Sequence, residues 1–196
     1  SCIAPDYLLV HHSNLDNVVD MLKKVIVKQY KKDVKNNRFY GRIINEEHCE
    51  RLVSYLEQQN VIFGGEHDIA DKYLAPTIVL NPRADSLLMQ EEIFGPIIPV
   101  ISFSGRSDML AFIKSRPKPL AAYAFTDDKE FEQKFIDSVS AGSICINDVS
   151  VFMLNAKLPF GGVGSSGMGN YHGQYGFKTF SHYKSVTRRS FSFDNS

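Results

Sequence analysis

The chain has little of what marks a metal scaffold, a redox relay or a disulfide framework. Its three cysteines, Cys2, Cys49 and Cys145, are odd in number and stand at no metal-ligand or Cys-x-x-Cys spacing. No metal is expected, and this usage fits a reducing compartment and a cytoplasmic protein. Charge of one sign is missing too: Lys and Arg number 22, as do Asp and Glu. A net charge of zero gives no reason to expect a nucleic-acid or anionic-membrane partner. The longest apolar runs, such as residues 97–103, fall far short of the roughly 20 residues a membrane-spanning helix needs. No secretory signal opens the chain, and there is no internal repeat or low-complexity tract. An initiator Met is also lacking, so the expectation is a chain that begins inside a longer protein.

What is present is the composition of a soluble globular domain, 43% hydrophobic and 22% charged over 196 residues. That length supports one sizeable core or at most two small ones. Residues 7–10 form a short buried strand candidate. Ser13, with Asp16 three residues later, resembles a capping box, and Leu15, Val18, Val19, Leu22, Val25 and Ile26 follow at helical spacing over residues 14–29. Residues 31–38, charged and Asn-rich, suggest an exposed loop. A second helix is expected over residues 46–57, capped by Asn45, with Cys49, Leu52, Val53 and Leu56 inward. Cys49 is then a buried structural thiol.

The second half alternates. Residues 98–103 have strand length; Ser107 caps a helix running to about residue 114; residues 120–125 are a second strand. Asp127 and Glu130 frame a further helix carrying Phe131 and Phe135, and residues 143–146 close the series, with Cys145 in the core. Strand, helix, strand, helix, strand at these lengths predicts parallel strands joined by right-handed crossovers. The fold class is therefore α/β, an open, mostly parallel sheet with helices on both faces. In such sheets ligands sit beyond the carboxyl ends of the strands.

Three segments carry candidate chemistry. In Gln90-Glu91-Glu92-Ile93-Phe94-Gly95-Pro96 two carboxylates lead into an apolar Phe-Gly-Pro reversal. Such a carboxylate can accept hydrogen bonds from ligand hydroxyls beside an aromatic ring; it can equally be a helix end running into a turn. Glu91 is read as a solvated helix-end charge. Gly162, Gly164 and Gly167 satisfy G-x-G-x-x-G, but the dinucleotide fingerprint needs a strand before it, a helix after it and an acidic residue about 20 positions on. Pro159 sits where the strand would end, and the only later acidic residue is Asp194. The Rossmann reading is rejected. Two readings of the run remain: a flexible surface loop, or a loop whose backbone passes close to a ligand or another strand. Cys2 has no spacing that marks a nucleophile; by residue type alone it is an inert terminal thiol or a reactive one.

Taken together, Ser1-Cys2-Ile3-Ala4-Pro5-Asp6-Tyr7, the Glu91–Pro96 segment and Leu158-Pro159-Phe160-Gly161-Gly162-Val163-Gly164-Ser165-Ser166-Gly167-Met168-Gly169 resemble the catalytic domain of a class 3 aldehyde dehydrogenase, over essentially all 196 residues. The resemblance implies that Cys2 is the nucleophile, adding to an aldehyde carbonyl to give a thiohemiacetal and then a thioester that water hydrolyses to the acid. Thiolates both attack and leave well. The Cys2 backbone N–H is one donor candidate for the oxyanion. NAD or NADP is the implied cofactor, with Glu92 binding the hydroxyls of the nicotinamide ribose and Phe94 packing against it. Met153, Leu154, Phe160 and His172 match substrate-channel positions. Read as plain sequence, Met153 and Leu154 are core residues and His172 a loop histidine. An apolar channel favours medium-chain or aromatic aldehydes.

The resemblance further implies a catalytic domain over residues 1–176 and an oligomerisation strand or tail over residues 177–196, which helps form a homodimer. A nucleotide-binding domain, the water-activating glutamate and the oxyanion asparagine would lie upstream. Thr179 to Phe193 has β character and a local basic bias from Lys184, Arg188 and Arg189; a frayed terminus is the alternative. The last six residues, Phe191-Ser192-Phe193-Asp194-Asn195-Ser196, hold no hydrophobic anchor or prenylation box. Besides the enzyme reading, a thiol esterase lacking the hydride step and a non-catalytic interaction module stay open.

Overall fold

Residues that alternate between two apolar faces build the central sheet. The computed structural model describes residues 1–191, so the predictions for residues 192–196 lie outside the described residues. The elements run β1 (Leu8–His11), α1 (Leu15–Tyr30), α2 (Glu46–Ser54), β2 (Val61–Phe63), β3 (His67–Asp68), β4 (Tyr73–Leu74), β5 (Thr77–Leu80), α3 (Leu87–Gln90), β6 (Ile97–Phe103), α4 (Arg106–Lys114), β7 (Ala121–Ala124), α5 (Lys129–Ser138), β8 (Ser143–Ile146) and α6 (Gly173–Thr179). Single 3-10 turns lie at His12–Asn14, Val151–Leu154 and Gly164–Ser166. Among the described residues no helix is long and apolar enough to cross a membrane.

The main sheet has the order β1-β6-β5-β2, with β6 parallel to both β1 and β5 and β2 antiparallel at one edge. Because side chains alternate along a strand, Val10, Ile78 and Val100 face one side, where α1 covers them with Val18, Val19, Leu22 and Ile26. Val79 and Ile97 face the other side and meet Leu52 and Tyr55 of α2. Helices thus cover both faces, as the α/β reading expects. A second pair, β7 and β8, is parallel in register Ala121↔Ser143 to Ala124↔Ile146. One of its faces packs on Met109, Leu110 and Phe135 of α4 and α5. The other holds Ile3, Cys145 and Phe152.

Several local expectations shift. The three late strands do not share one ladder: β6 has both hydrogen-bonding edges filled by β1 and β5, so β7 pairs only with β8. Ser13 is not the cap of α1. Its backbone N–H and its hydroxyl turn back to His11 Nδ1 through a 3-10 turn. Gly105, not Ser107, precedes α4, and Asp128 rather than Asp127 caps α5, its Oδ1 accepting from Phe131 N at 3.0 Å. Asn45 caps α2 as expected, accepting from His48 N at 2.8 Å, and Cys49 is fully buried. Residues 181–190, within the Thr179–Phe193 stretch expected to have β character, form no strand. Phe180, Tyr183 and Val186 stand exposed along that stretch.

Candidate active site

The Cys2 loop is held by its neighbour. Ile3 is 2% exposed and packs against Phe152 and Cys145, while its carbonyl accepts a hydrogen bond from the Tyr123 hydroxyl at 2.6 Å. An Ala4 N–H to Ser1 carbonyl turn closes the loop. With Ile3 anchored inward, Cys2 is left exposed, whereas Cys49 and Cys145 are buried and burial raises both of their thiol pKa values. A raised thiol pKa means less thiolate and a less reactive sulfur. Cys2 is therefore the one thiol of the three set out for chemistry.

A second loop follows α3. Leu88 and Met89 bury the helix, and Ile93, 2% exposed, plugs the same core as Leu52 and Tyr55. The flanking residues Glu92 and Phe94 are exposed, Phe94 by 59% and at φ +50. Gly95 is required next: an added Cβ would stand 2.5 Å from Leu52 Cδ1. Arg51 of α2 braces the loop from beneath, with Nη2 donating to the Ile93 carbonyl at 2.9 Å and Nη1 to the Glu92 carbonyl at 3.3 Å. Nη1 also donates to the Tyr55 hydroxyl at 2.6 Å, and Tyr55 in turn donates to Glu91 Oε2. Glu91 is thus more than a solvated charge: it ends a hydrogen-bonded chain that starts in the core. Across the gap, Asp6 Oδ1 accepts from the Ile93 N–H at 3.1 Å, tying this loop to that of Cys2.

The two loops and the end of α4 enclose a cleft of about 1090 Å³. Cys2, Asp6, Glu92 and Phe94 line it, with Arg116 and Ser165 on further walls. The Arg116 guanidinium donates to the Met89 carbonyl and lies over the Phe112 ring. Tyr7 meets Phe112 edge-on at 5.6 Å. Burial pushes the Asp6 carboxyl above its ordinary value, the Ile93 N–H opposes this, and the Glu92 charge adds to it. The concave wall crowds Asp6 with protein atoms although one edge faces the cleft. Burial likewise raises the Tyr7 phenol, against the nearby Arg116 charge.

The glycine run folds onto itself rather than onto a helix. It lies between the two residues of an isolated β-bridge, Phe160↔Tyr171, and contains a 3-10 turn. A side chain on Gly161 would collide with the Gly169 carbonyl, and one on Gly162 with that of Ser166. Close backbone approach is the physical need for these glycines, and the loop delivers Ser165 and Ser166 to the cleft wall.

The four channel candidates sit elsewhere. Phe160 and His172 stack at 5.6 Å, and Phe160 stacks on Phe152 at 6.2 Å, placing this aromatic group in the packing behind Ile3. His172 Nδ1 is buried without a hydrogen-bond partner. Met153 and Leu154 are not core residues: only Phe152 of their 3-10 turn points inward, and Leu154 is 83% exposed. None of the four lines the cleft. Asp6, Arg51 and Tyr123 escaped the sequence reading because their partners lie 87, 41 or 42, and 120 residues away. The one local hint was an Arg and a Tyr four apart on α2, flanking core Leu52. No group of three or more His, Cys, Asp or Glu among the described residues is placed to hold a metal.

An exposed thiol, a carboxylate and an aromatic face around one cleft suit covalent attack on a carbonyl beside a hydroxyl-bearing ligand. Comparison with known proteins gives the family. Residues 1–186 match the model of the aldehyde dehydrogenase family. A dimeric NADP-preferring aldehyde dehydrogenase of Canis lupus familiaris is 43% identical over 196 residues, 100% of this chain and 43% of that protein. Aldehyde dehydrogenase family 3 member A2 of Rattus norvegicus is 46% identical over 182 residues, 93% of this chain and 38% of that protein. The substrate-bound Staphylococcus aureus AldH structure superposes with a TM-score of 0.88 at 43% identity, covering 96% of this chain and 43% of that one. The chain spans about two fifths of the length of these relatives. Over that span its sequence, its fold and its thiol-bearing cleft lead to one conclusion: the chain belongs to the aldehyde dehydrogenase family, with class 3 members among its relatives.

Proposed function

We propose that this chain carries the reacting thiol of an NAD(P)-dependent aldehyde dehydrogenase that oxidises aldehydes to carboxylic acids. The observation that carries the reading is the convergence of Cys2, Glu92 and Phe94 on one cleft. The donor set suits the cofactor: an exposed carboxylate accepts from sugar hydroxyls, and an exposed ring offers a flat face to a ribose or heterocycle. Glu92 and Phe94 would hold that part of NAD or NADP. When bound, the cofactor supplies the hydride acceptor.

The Cys2 sulfur, as thiolate, adds to the aldehyde carbon, and the carbonyl oxygen becomes an oxyanion near the Cys2 backbone N–H. Oxidation at that carbon leaves an acyl group on sulfur. Water then adds to the thioester, and the Cys2 thiolate departs as the acid is released. Sulfur suits both ends of this sequence, attacking and leaving at moderate pH.

A preference for medium-chain or aromatic aldehydes rests on apolar side chains outside the cleft: Phe152 and Phe160 pack with Ile3, the residue next to the thiol, His172 stacks on Phe160, and Met153 and Leu154 stand exposed. Exposed Phe177, Phe180, Tyr183 and Val186 support a homodimer formed through residues 177–191. The test is NAD(P)-dependent oxidation of a panel of aldehydes, with p-nitrophenyl ester hydrolysis alongside and Cys2→Ser as control. Loss of both activities in Cys2→Ser is the expected result. Ester hydrolysis alone, dependent on Cys2, marks a competent thiol without the hydride step.

A further inference from the structure

We infer that Asp6 and Arg51 are positioning residues that fix Glu92 and Phe94 relative to Cys2 by pinning the two consecutive peptide planes around Ile93. The inference rests on the reading that Cys2, Glu92 and Phe94 act together.

The 92–93 peptide is gripped at both ends. Its N–H donates to Asp6 Oδ1 at 3.1 Å, and its carbonyl accepts from Arg51 Nη1 at 3.3 Å. The following peptide gives its carbonyl to Arg51 Nη2 at 2.9 Å. Between them the Ile93 side chain is 2% exposed in the core. A loop residue held by its side chain and by both adjoining peptides has little freedom, and the side chains on either side inherit that order. Phe94 is kept at φ +50, a conformation that non-glycine residues adopt at a cost and keep only when their surroundings enforce it.

The two pins come from different elements. Arg51 belongs to α2, whose Tyr55 receives the same guanidinium and hands a hydrogen bond on to Glu91. Asp6 belongs to the loop of Cys2, four residues from the thiol. The Asp6 contact therefore sets the distance between the two halves of the site, and Arg51 sets the tilt of the loop beyond it. Small misplacements of ligand-orienting groups are costly to rate and binding alike. Asp6 and Glu92 line the same cleft, and the Asp6 carboxyl lies above its ordinary value, chiefly through burial, with the Glu92 charge a smaller contribution.

The experiment compares Asp6→Ala, Asp6→Asn, Arg51→Ala and Arg51→Lys in the protein that carries this chain. It reads KM for NAD(P), kcat, and p-nitrophenyl ester hydrolysis, which needs the thiol but not the Glu92–Phe94 loop. Asp6→Ala and Arg51→Ala are expected to raise KM for NAD(P) about tenfold, with a smaller change in ester hydrolysis. Asp6→Asn keeps an oxygen acceptor for the Ile93 N–H and is expected to recover to within about threefold of the parent. Arg51→Lys, with one ammonium in place of a two-pronged fork, recovers only in part. Equal defects in Asp6→Ala and Asp6→Asn, an unchanged KM, or ester hydrolysis falling in step with oxidation would overturn the inference. If Arg51→Ala fails to fold, the two Asp6 variants decide it. Should Cys2→Ser keep aldehyde oxidation, the underlying reading fails instead, so the two failures are told apart.

Discussion

Tyr123 on β7 donates its hydroxyl hydrogen to the Ile3 carbonyl across 120 residues of sequence, and this contact holds the residue next to the exposed Cys2 thiol. Tyr123→Phe keeps the ring, which stacks on Phe152 at 6.3 Å, and removes only the hydrogen bond. We expect a loss of about 1 kcal/mol of stability, the net worth of one such bond, measured by urea denaturation. Alkylation of Cys2 should change in rate in the same variant, because its loop is no longer tethered.

The glycine after Phe94 is a packing requirement. Gly95→Ala drives a methyl into Leu52 and is expected to cost about 1–3 kcal/mol by overpacking. Leu52→Ala, at a fully buried position, is expected to cost about 2–5 kcal/mol. Combined, the two should cost less than their sum, since the smaller side chain admits the new methyl. Denaturant midpoints of the two single variants and the double variant check this; strict additivity would show that the two positions do not touch.

Thiol exposure predicts an ordered titration. In the folded protein a water-soluble thiol reagent should react with Cys2 first, because Cys49 and Cys145 are buried and their raised thiol pKa values leave little thiolate. After denaturation all three should react, and Cys2→Ser should abolish the early phase alone.

Acid should weaken the fold through three carboxyls among the described residues that sit below their ordinary value: Asp68, Asp128 and, hydrogen-bonded by Arg83, Asp85. The hydrogen bond from Lys35 holds the Asp68 pKa below 3.8, and the Phe131 N–H, followed by Arg106, does the same for Asp128. The folded state favours their ionised forms, so this stability is complete above 3.8 and runs down as pH falls from there through the depressed values. Asp6 has the opposite sign. Its raised pKa means that its contribution is fully present below 3.8 and is lost as pH rises through the folded value. Denaturation midpoints between neutral pH and pH 3 should therefore fall toward acid, and Asp128→Ala should flatten part of that slope.

The sequence made the long periodic elements legible. The α1 and α2 faces, the Asn45 cap and the β6 run each carry their signal within a dozen residues, and they formed with two departures: Val25 of α1 is 55% exposed, and α2 ends at Ser54, short of Leu56. β5 was missed because it has only four residues, Thr77–Leu80, between Pro76 and Pro82, yet it is central to the sheet. The split between β6 and β7 could not be read locally, since it depends on β1 and β5 claiming both edges of β6. In the site, Glu92, Phe94 and Cys2 were placed by resemblance. Arg51 and Asp6 stayed hidden because their hydrogen bonds run to backbone atoms, and backbone partners leave no mark in residue type. Apolar character alone misplaced Met153 and Leu154, since a 3-10 turn presents only one of its side chains to the core.

The central claim is that Cys2 forms the covalent acyl intermediate, and trapping it is the most direct test. The protein is mixed with p-nitrophenyl acetate, quenched in acid, digested and examined by mass spectrometry. The account predicts an acetyl group on the peptide bearing Cys2 and none in Cys2→Ser. An acetyl group carried by another residue and retained in Cys2→Ser would contradict it.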